Sequence, residues 1–442
     1  MQVSVVGLGK LGAVLAAVLA ESGEEVIGVD VNPAAISAIN EHRAPVNETG
    51  LDDLIRKNAA RLTATPDLET AIEKSSVTFV VLPTPSKPDG SFSLDYIKVA
   101  AKGIAQALRK KQAYHLVVIS STVMPGSMDE VVLPLVEQIS GKTCGVDFGL
   151  CYNPEFIALG SVIRDMSSPD MILIGESDER AGAMLEELYK RVCKNRPPVA
   201  RMNFVNAELT KISVNTYVTM KISYANTLAE ICGQVPGADA AVVAKAVGLD
   251  SRISGKYLQG ALGYGGPCFP RDNAAFSYFA RECGVDADLA DATDEVNRRQ
   301  VRLLGDRVLE LVPEGETVGV MGLSYKPGTE VIEESQGIQL AQYLTEAGRE
   351  VIVYDPQAMA SARKVLSPQT RFAKSMKECA AEASVLVIAT AWKEFRSLTA
   401  DQLKPGATVI DCWRILDRAA FDAYETCGLG PASELAVEAE NA

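Results

Sequence analysis

The chain has 442 residues, with 43 Lys+Arg against 57 Asp+Glu and a formal net charge of −14 at pH 7. That length suits two or three domains. The acidic balance excludes a fold-wide basic surface, so no nucleic acid is expected as a partner, although a local positive pocket for phosphate stays open. Hydrophobic residues at 47% and charged residues at 23% exclude a disordered chain.

No apolar run approaches the roughly 20 residues that a membrane helix needs, and the start MQVSVVG lacks a basic n-region, so neither membrane nor signal peptide is expected. Nine scattered cysteines without a CxxC pair argue against a disulfide framework or a zinc site. They point to a reducing, cytoplasmic setting and to no metal. The only histidines are His42, in a polar loop, and His115, at a strand start. Neither is expected to be catalytic, so other groups must carry the protons.

In chain order, QVSVVGLG, EEVIGVDVN, SVTFVVLPTP, HLVVISSTV, FGLCYNPEF and DMILIGE read as buried strands. Between them LGAVLAAVLAESG, SLDYIKVAAKGIAQALRK and SMDEVVLPLVEQI read as helices. The alternation predicts a parallel, doubly wound sheet over 1–198. From Asn206, a plausible N-cap, one long helical pattern runs to a stop at Gly233, and helical segments broken by a Gly-rich stretch continue through 199–312. ETVGVMGLSYKP, REVIVYDP, ASVLVIATAW and ATVIDCWRI return to strands over 313–442, with an acidic, frayed tail after Gly430. The expected fold is α/β, with two Rossmann-like doubly wound domains joined by a central helical region.

Gly7-Leu8-Gly9-Lys10-Leu11-Gly12 is GxGxxG with a strand before it and a helix after it. Such glycines permit a tight turn and a close approach of backbone to a pyrophosphate at the helix N-terminus. Asp30 ends the second strand, where an acid accepts from ribose hydroxyls and repels a 2′-phosphate. NAD is therefore expected in preference to NADP.

Cys268 lies in ALGYGGPCFPRDN, where Pro270 suits the first turn of a helix. A cysteine at a helix N-terminus gains thiolate character, and Asp272 falls one turn further on. Lys211 and Asn215, spaced i,i+4, share one helix face, which by itself fits a snorkelling lysine as well as a functional one. Ser121-Thr122 and Asn153-Pro154-Glu155-Phe156 end strands, where doubly wound sheets bind ligands, although each alone reads more readily as a turn than as a site.

Together GLGKLG, PTP at 83–85, SSTV at 120–123, NPEF at 153–156, ELTKISVNT at 208–216, GYGGPCFPRD at 263–272, GLSYKPGT at 322–329 and DCWRILD at 411–417 resemble the UDP-glucose/GDP-mannose dehydrogenase family, from residue 1 to about 420. The resemblance implies oxidation of a nucleotide sugar at C6 twice, from alcohol to acid, with two NAD per sugar. It implies Cys268 as nucleophile, Lys211 and Asn215 as stabilisers of charge on oxygen, and Asp272 and Glu155 as carboxylates that activate water. Thr122 would position a catalytic water. NAD contacts would fall to Gly7, Gly9, Lys10, Leu11, Gly12, Asp30, Pro83, Thr84, Ser121, Thr122 and Arg271. Substrate contacts would fall to Glu155, Phe156, Lys211, Asn215, Tyr257, Tyr264, Gly265, Tyr325, Lys326 and Arg414. Arg252 would reach into a neighbouring subunit's site, with a homodimer formed through the long helix.

DSRI and GYGG favour UDP-glucose as the sugar, with GDP-mannose or a UDP-N-acetyl-aminosugar as rivals. A two-electron β-hydroxyacid-type dehydrogenase and a non-catalytic NAD-binding regulator are the readings of another class. Cys268 and the complete C-terminal α/β segment speak against the first, and the intact Cys268, Lys211 and Asp272 speak against the second. Three positions depart from the family pattern: Leu159 after NPEF, Glu333-Glu334-Ser335 in place of an RES triplet, and Arg271 in place of a lysine before Asp272.

Overall fold

The structure is a computed structural model that describes residues 1–157 and 160–428. Leu159 and the tail after Gly430 lie outside the described residues. The chain packs as two compact units, Met1–Ser213 and the residues from Val214 onward, with the boundary inside the helix Phe204–Gln234.

The first unit is built on an eight-stranded sheet of order β3-β2-β1-β4-β5-β6-β7-β8. Its strands are β1 (Gln2–Val6), β2 (Glu25–Val29), β3 (Leu62–Thr65), β4 (Val77–Val80), β5 (His115–Ile119), β6 (Phe148–Tyr152), β7 (Ile172–Glu176) and β8 (Val199–Met202). The central strands β4, β5 and β6 are buried along their whole length, as parallel strands covered by helices on both faces must be. One expectation needs correction. β6 and β7 pair antiparallel, Cys151 opposite Glu176, so the sheet is mixed, although every other pairing in it is parallel. The last strand of the sheet, β8, ends at Met202.

The long helix begins at Phe204 and ends at Gln234. Asn203 supplies its cap, the side-chain oxygen accepting from Asn206 N at 3.1 Å, so Asn206 lies within the helix and Gly233 does not stop it.

The second unit holds a wholly parallel six-stranded sheet of order β11-β10-β9-β12-β13-β14. Its strands are β9 (Thr317–Met321), β10 (Glu350–Tyr354), β11 (Arg371–Phe372), β12 (Val385–Ile388), β13 (Thr408–Asp411) and β14 (Tyr424–Glu425). The helices Phe269–Glu282 and Asp288–Leu311 precede it. Among the described residues no helix is long and apolar enough to cross a membrane, and no group of three or more His, Cys, Asp and Glu could hold a metal ion.

Candidate active site

Each glycine of the Gly7–Gly12 turn has its own physical reason. Gly7 has φ +96°, and a Cβ there would be driven into the Val81 carbonyl oxygen. At Gly12 a Cβ would enter the Gly7 carbonyl, so this glycine lets the helix start against the strand end. A Cβ at Gly9 meets nothing within 4 Å. Folding does not require that glycine, and the space beside it is what the pyrophosphate of a dinucleotide would use.

Asp30 accepts from Leu8 N at 2.6 Å and Asn32 N at 2.8 Å, and it remains partly exposed. The second unit repeats the arrangement with a different outcome. Gly322 donates to Tyr354 O as Gly7 does to Val29 O, and Gly337 backs onto the Gly322 carbonyl as Gly12 does onto Gly7. There Asp355 is 1% exposed, and its carboxylate is fully engaged by Leu323 N, Ser324 N, Gln357 N, Ala358 N and the Trp392 indole. Of the two matching acids, only Asp30 keeps capacity for a ribose. The first turn therefore fits NAD, with Lys10 and Leu11 at its tip.

The strand-end loops beside this turn are tied together. Ser121 Oγ donates to Leu82 O at 2.6 Å and accepts from Leu82 N at 2.9 Å, while Thr84 Oγ1 donates to Thr122 O at 2.7 Å. Pro83 is exposed and Thr122 half-buried. Glu208, fully buried on the long helix, accepts from Gly126 N at 2.7 Å and Met128 N at 2.9 Å, and so holds the far end of the SSTVMPG loop.

One turn along the same helix face, Lys211 donates to the Glu155 carbonyl at 2.8 Å and lies 4.7 Å from the centre of the Phe156 ring. Burial pushes the Glu155 carboxyl up to about 7, against the opposing pull of the Lys211 ammonium and of the Tyr189 hydroxyl. Tyr189 donates at 3.5 Å to Glu155 and also to Asn153 Oδ1, and Asn153 in turn donates to Leu173 O at 2.8 Å. Glu155, Phe156 and Lys211 are thus one cluster, with a carboxyl poised between acid and base at neutral pH. Tyr189 carried no sequence signal.

In the second unit Cys268 is exposed at the N-cap of the helix Phe269–Glu282, with Pro270 in the first turn as expected. Asp272, 1% exposed, accepts from Asn215 Nδ2 at 2.6 Å and pairs with Arg271 Nε at 3.4 Å. The residues before Cys268 are crowded. A Cβ on Gly265 would strike the Glu334 carbonyl, and Gly266, at φ +83°, lies against the Tyr325 ring. Burial and the neighbouring Cys268 both push the Tyr325 phenol up, and Lys326 Nζ lies 5.6 Å from its ring centre. Tyr257 and Tyr264 both meet the Phe269 ring edge-on.

Other expected residues stand apart from this cluster. Arg414, at φ +53°, donates to Asp239 at 2.6 Å and to Cys427 O at 3.0 Å. Arg252 is exposed and held by Asp250 at 2.7 Å. Glu333 O accepts from Gly266 N at 3.0 Å, and the Glu334 carboxylate accepts from Gln339 Nε2 at 3.0 Å.

Cys283 is exposed as well as Cys268, and Cys144 and Cys427 are half-buried, so five of the nine are core residues. His115 is fully buried, and burial holds its imidazole down at about 3, which leaves it neutral.

The chain belongs to the UDP-glucose/GDP-mannose dehydrogenase family: its NAD binding domain matches residues 1–193, its central domain 205–299 and its UDP binding domain 319–418. Among relatives, the UDP-glucose 6-dehydrogenase AglM of Haloferax volcanii is 38% identical over 96% of this chain and 100% of its own. A GDP-mannose 6-dehydrogenase of Pseudomonas aeruginosa is 36% identical over 80% of this chain and 81% of its own. The solved structure of a UDP-glucose dehydrogenase from the archaeon Pyrobaculum islandicum superposes with a TM-score of 0.87, at 36% identity, over 96% of each chain.

Proposed function

We propose that the chain oxidises UDP-glucose at C6 to UDP-glucuronate, in two steps and with two NAD per sugar. The observation that carries this is Cys268, exposed at a helix N-terminus with Asp272 one turn away and bonded to Asn215 at 2.6 Å. A cysteine is needed because the C6 aldehyde must be retained between two oxidations, and covalent capture retains it. Bound NAD supplies the hydride acceptor for both steps.

This chain's residues do the rest. The Cys268 thiolate adds to the aldehyde carbon to give a thiohemiacetal, whose oxidised form is a thioester. Lys211 and Asn215, one turn apart on the long helix, stabilise charge on the C6 oxygen. Asp272 and Glu155, with Thr122 positioning the water, promote hydrolysis, which returns Cys268 and releases the acid. Arg271, Pro83 and Ser121 contribute to the cofactor side. Phe156, Tyr257, Tyr264, Gly265, Tyr325, Lys326 and Arg414 contribute to the sugar nucleotide, lysine as point charge and arginine as fork. In this reading 1–198 binds the cofactor, 199–312 carries the nucleophile and 313–442 takes the UDP-sugar.

The names of the Haloferax and Pyrobaculum relatives support glucose and uridine, and the Pseudomonas relative keeps GDP-mannose as the second reading. We further propose a cytoplasmic homodimer. Tyr217, Tyr224 and Ile231 recur every seven residues on the long helix and are each more than half exposed, an unpartnered apolar stripe suited to a second copy. Arg252 would then serve the neighbouring subunit.

The test is Cys268→Ser. It should bind NAD and UDP-glucose as wild type does yet release no acid. Wild-type uronate production by this variant would end the covalent reading.

A further inference from the structure

The segment leading to Cys268 is buried without belonging to any strand or helix. Ala261, Leu262 and Tyr264 are each 4% exposed, so their peptide groups need partners that no ladder supplies. Two asparagine side chains provide them. From the long helix, Asn226 accepts from Ala261 N at 3.0 Å and donates to Leu262 O at 3.1 Å. From the helix Asp288–Leu311, Asn297 accepts from Tyr264 N at 2.7 Å and donates to Tyr264 O at 3.0 Å. A carboxamide is the uncharged side chain that offers one acceptor and one donor in a plane, as a peptide does. Each asparagine thus stands in for an adjacent strand.

Other contacts show the clamp to be built for this backbone. Gly263 lies where a Cβ would enter Asn297 Oδ1, although its own φ is not left-handed. One turn before Asn297, Asp294 accepts the Tyr264 hydroxyl. The Tyr264 ring in turn lies edge-on against Phe269, the first helical residue after Cys268. Both asparagines are nearly buried, at 1% and 8% exposure.

We propose that Asn297, seconded by Asn226, is a positioning residue that fixes where Cys268 meets the N-terminus of its helix. Nothing in ELTKISVNT or GYGGPCFPRD marks it. The proposal rests on reading Cys268 as the nucleophile, but its test can be read without any turnover.

The test uses full-length Asn297→Leu, of similar volume but without polar atoms, with Gly263→Ala and Tyr264→Phe beside it. The first readout is the pH dependence of Cys268 alkylation by iodoacetamide, followed on the peptide that contains it. The second is the split between kcat and KM. Asn297→Leu should move the alkylation midpoint to higher pH, because the thiol would no longer be held at the helix N-terminus, whose dipole favours a thiolate. It should lower kcat by roughly tenfold to a hundredfold, with NAD affinity unchanged. Gly263→Ala keeps Asn297 but pushes its amide away, and should act in the same direction. Tyr264→Phe keeps both backbone bonds and should leave the alkylation midpoint in place.

Wild-type alkylation and kcat in folded Asn297→Leu, even with a lowered Tm, would overturn the proposal. So would an equal midpoint shift in Tyr264→Phe. A Cys268→Ser variant that still made acid would instead sink the nucleophile, and would leave an altered midpoint in Asn297→Leu standing.

Discussion

Asn215 donates to the Asp272 carboxylate at 2.6 Å, joining the long helix to the helix that Cys268 caps. Asp272 lies one turn beyond the thiol on that helix, and the bond satisfies a carboxylate that is 1% exposed. In the proposed mechanism Cys268 captures the aldehyde and Asp272 serves the later hydrolysis. Asp272→Asn should leave Cys268 nucleophilic but stall hydrolysis. Rapid mixing should then show a burst of NADH followed by a steady rate lower by roughly 10²-fold or more, and intact mass should report a sugar-nucleotide adduct. A variant that turns over steadily without an adduct would remove Asp272 from the hydrolytic role.

Lys211 donates to the Glu155 carbonyl at 2.8 Å and lies 4.7 Å from the centre of the Phe156 ring. Lys211→Ala should lower kcat by roughly 10²–10³, the usual loss for one donor of an oxyanion site, with NAD affinity nearly unchanged. Turnover and cofactor titration measured on the same preparation separate the two. A pure binding defect would contradict the oxyanion role.

The glycines of the first turn should separate folding from binding. Gly12→Ala forces a Cβ into the Gly7 carbonyl and should cost about 2 kcal/mol or more of stability. Gly9→Ala meets open space and should leave unfolding within about 0.5 kcal/mol of wild type. The same change should weaken NAD by about tenfold or more, because the added methyl occupies the pyrophosphate approach. Thermal melts with and without NAD read both quantities.

Glu155 sets a pH dependence whose sign follows from burial. Its carboxyl is pushed up to about 7 from an ordinary 4.5, so the folded protein holds a proton there that the unfolded chain has lost. The associated stability is fully present below pH 4.5 and is lost as pH rises through about 7. Activity should run the other way, because a water-activating carboxylate must be ionised. kcat should rise through about pH 7 in wild type, and Glu155→Gln should flatten that limb. An unchanged limb in this variant would assign it to another group, with Glu208, pushed to a similar value by burial, the next to vary.

Much of the fold was legible because buried parallel strands are continuous apolar runs, and each of the ten that the sequence marked is a strand. The four missed strands are short. β3 and β11 lie at sheet edges and carry mixed composition, and β8 and β14 close the opposite edges. The antiparallel pairing of β6 with β7 has no local signature, since both runs look equally buried. The helix start moved because Asn203 and Asn206 are both capping residues three positions apart, and only the geometry shows which one turns the chain. Glycine, cysteine and strand-end motifs marked Cys268, Asp272 and Glu155 as candidates, whereas Lys211 and Asn215 drew their reading from the family resemblance, their spacing alone being neutral. Residues that act on backbone from other helices, such as Asn297, Asn226 and Glu208, were invisible, because a buried amide or carboxyl in a helical pattern reads only as an imperfection of the apolar face.

The most direct test of the central claim is the NADH yield per sugar, with limiting UDP-glucose or limiting GDP-mannose in excess NAD. Two NADH per UDP-glucose, and none with GDP-mannose, is the predicted result. One NADH per UDP-glucose would contradict the second oxidation at Cys268, and two per GDP-mannose would contradict the choice of base and sugar.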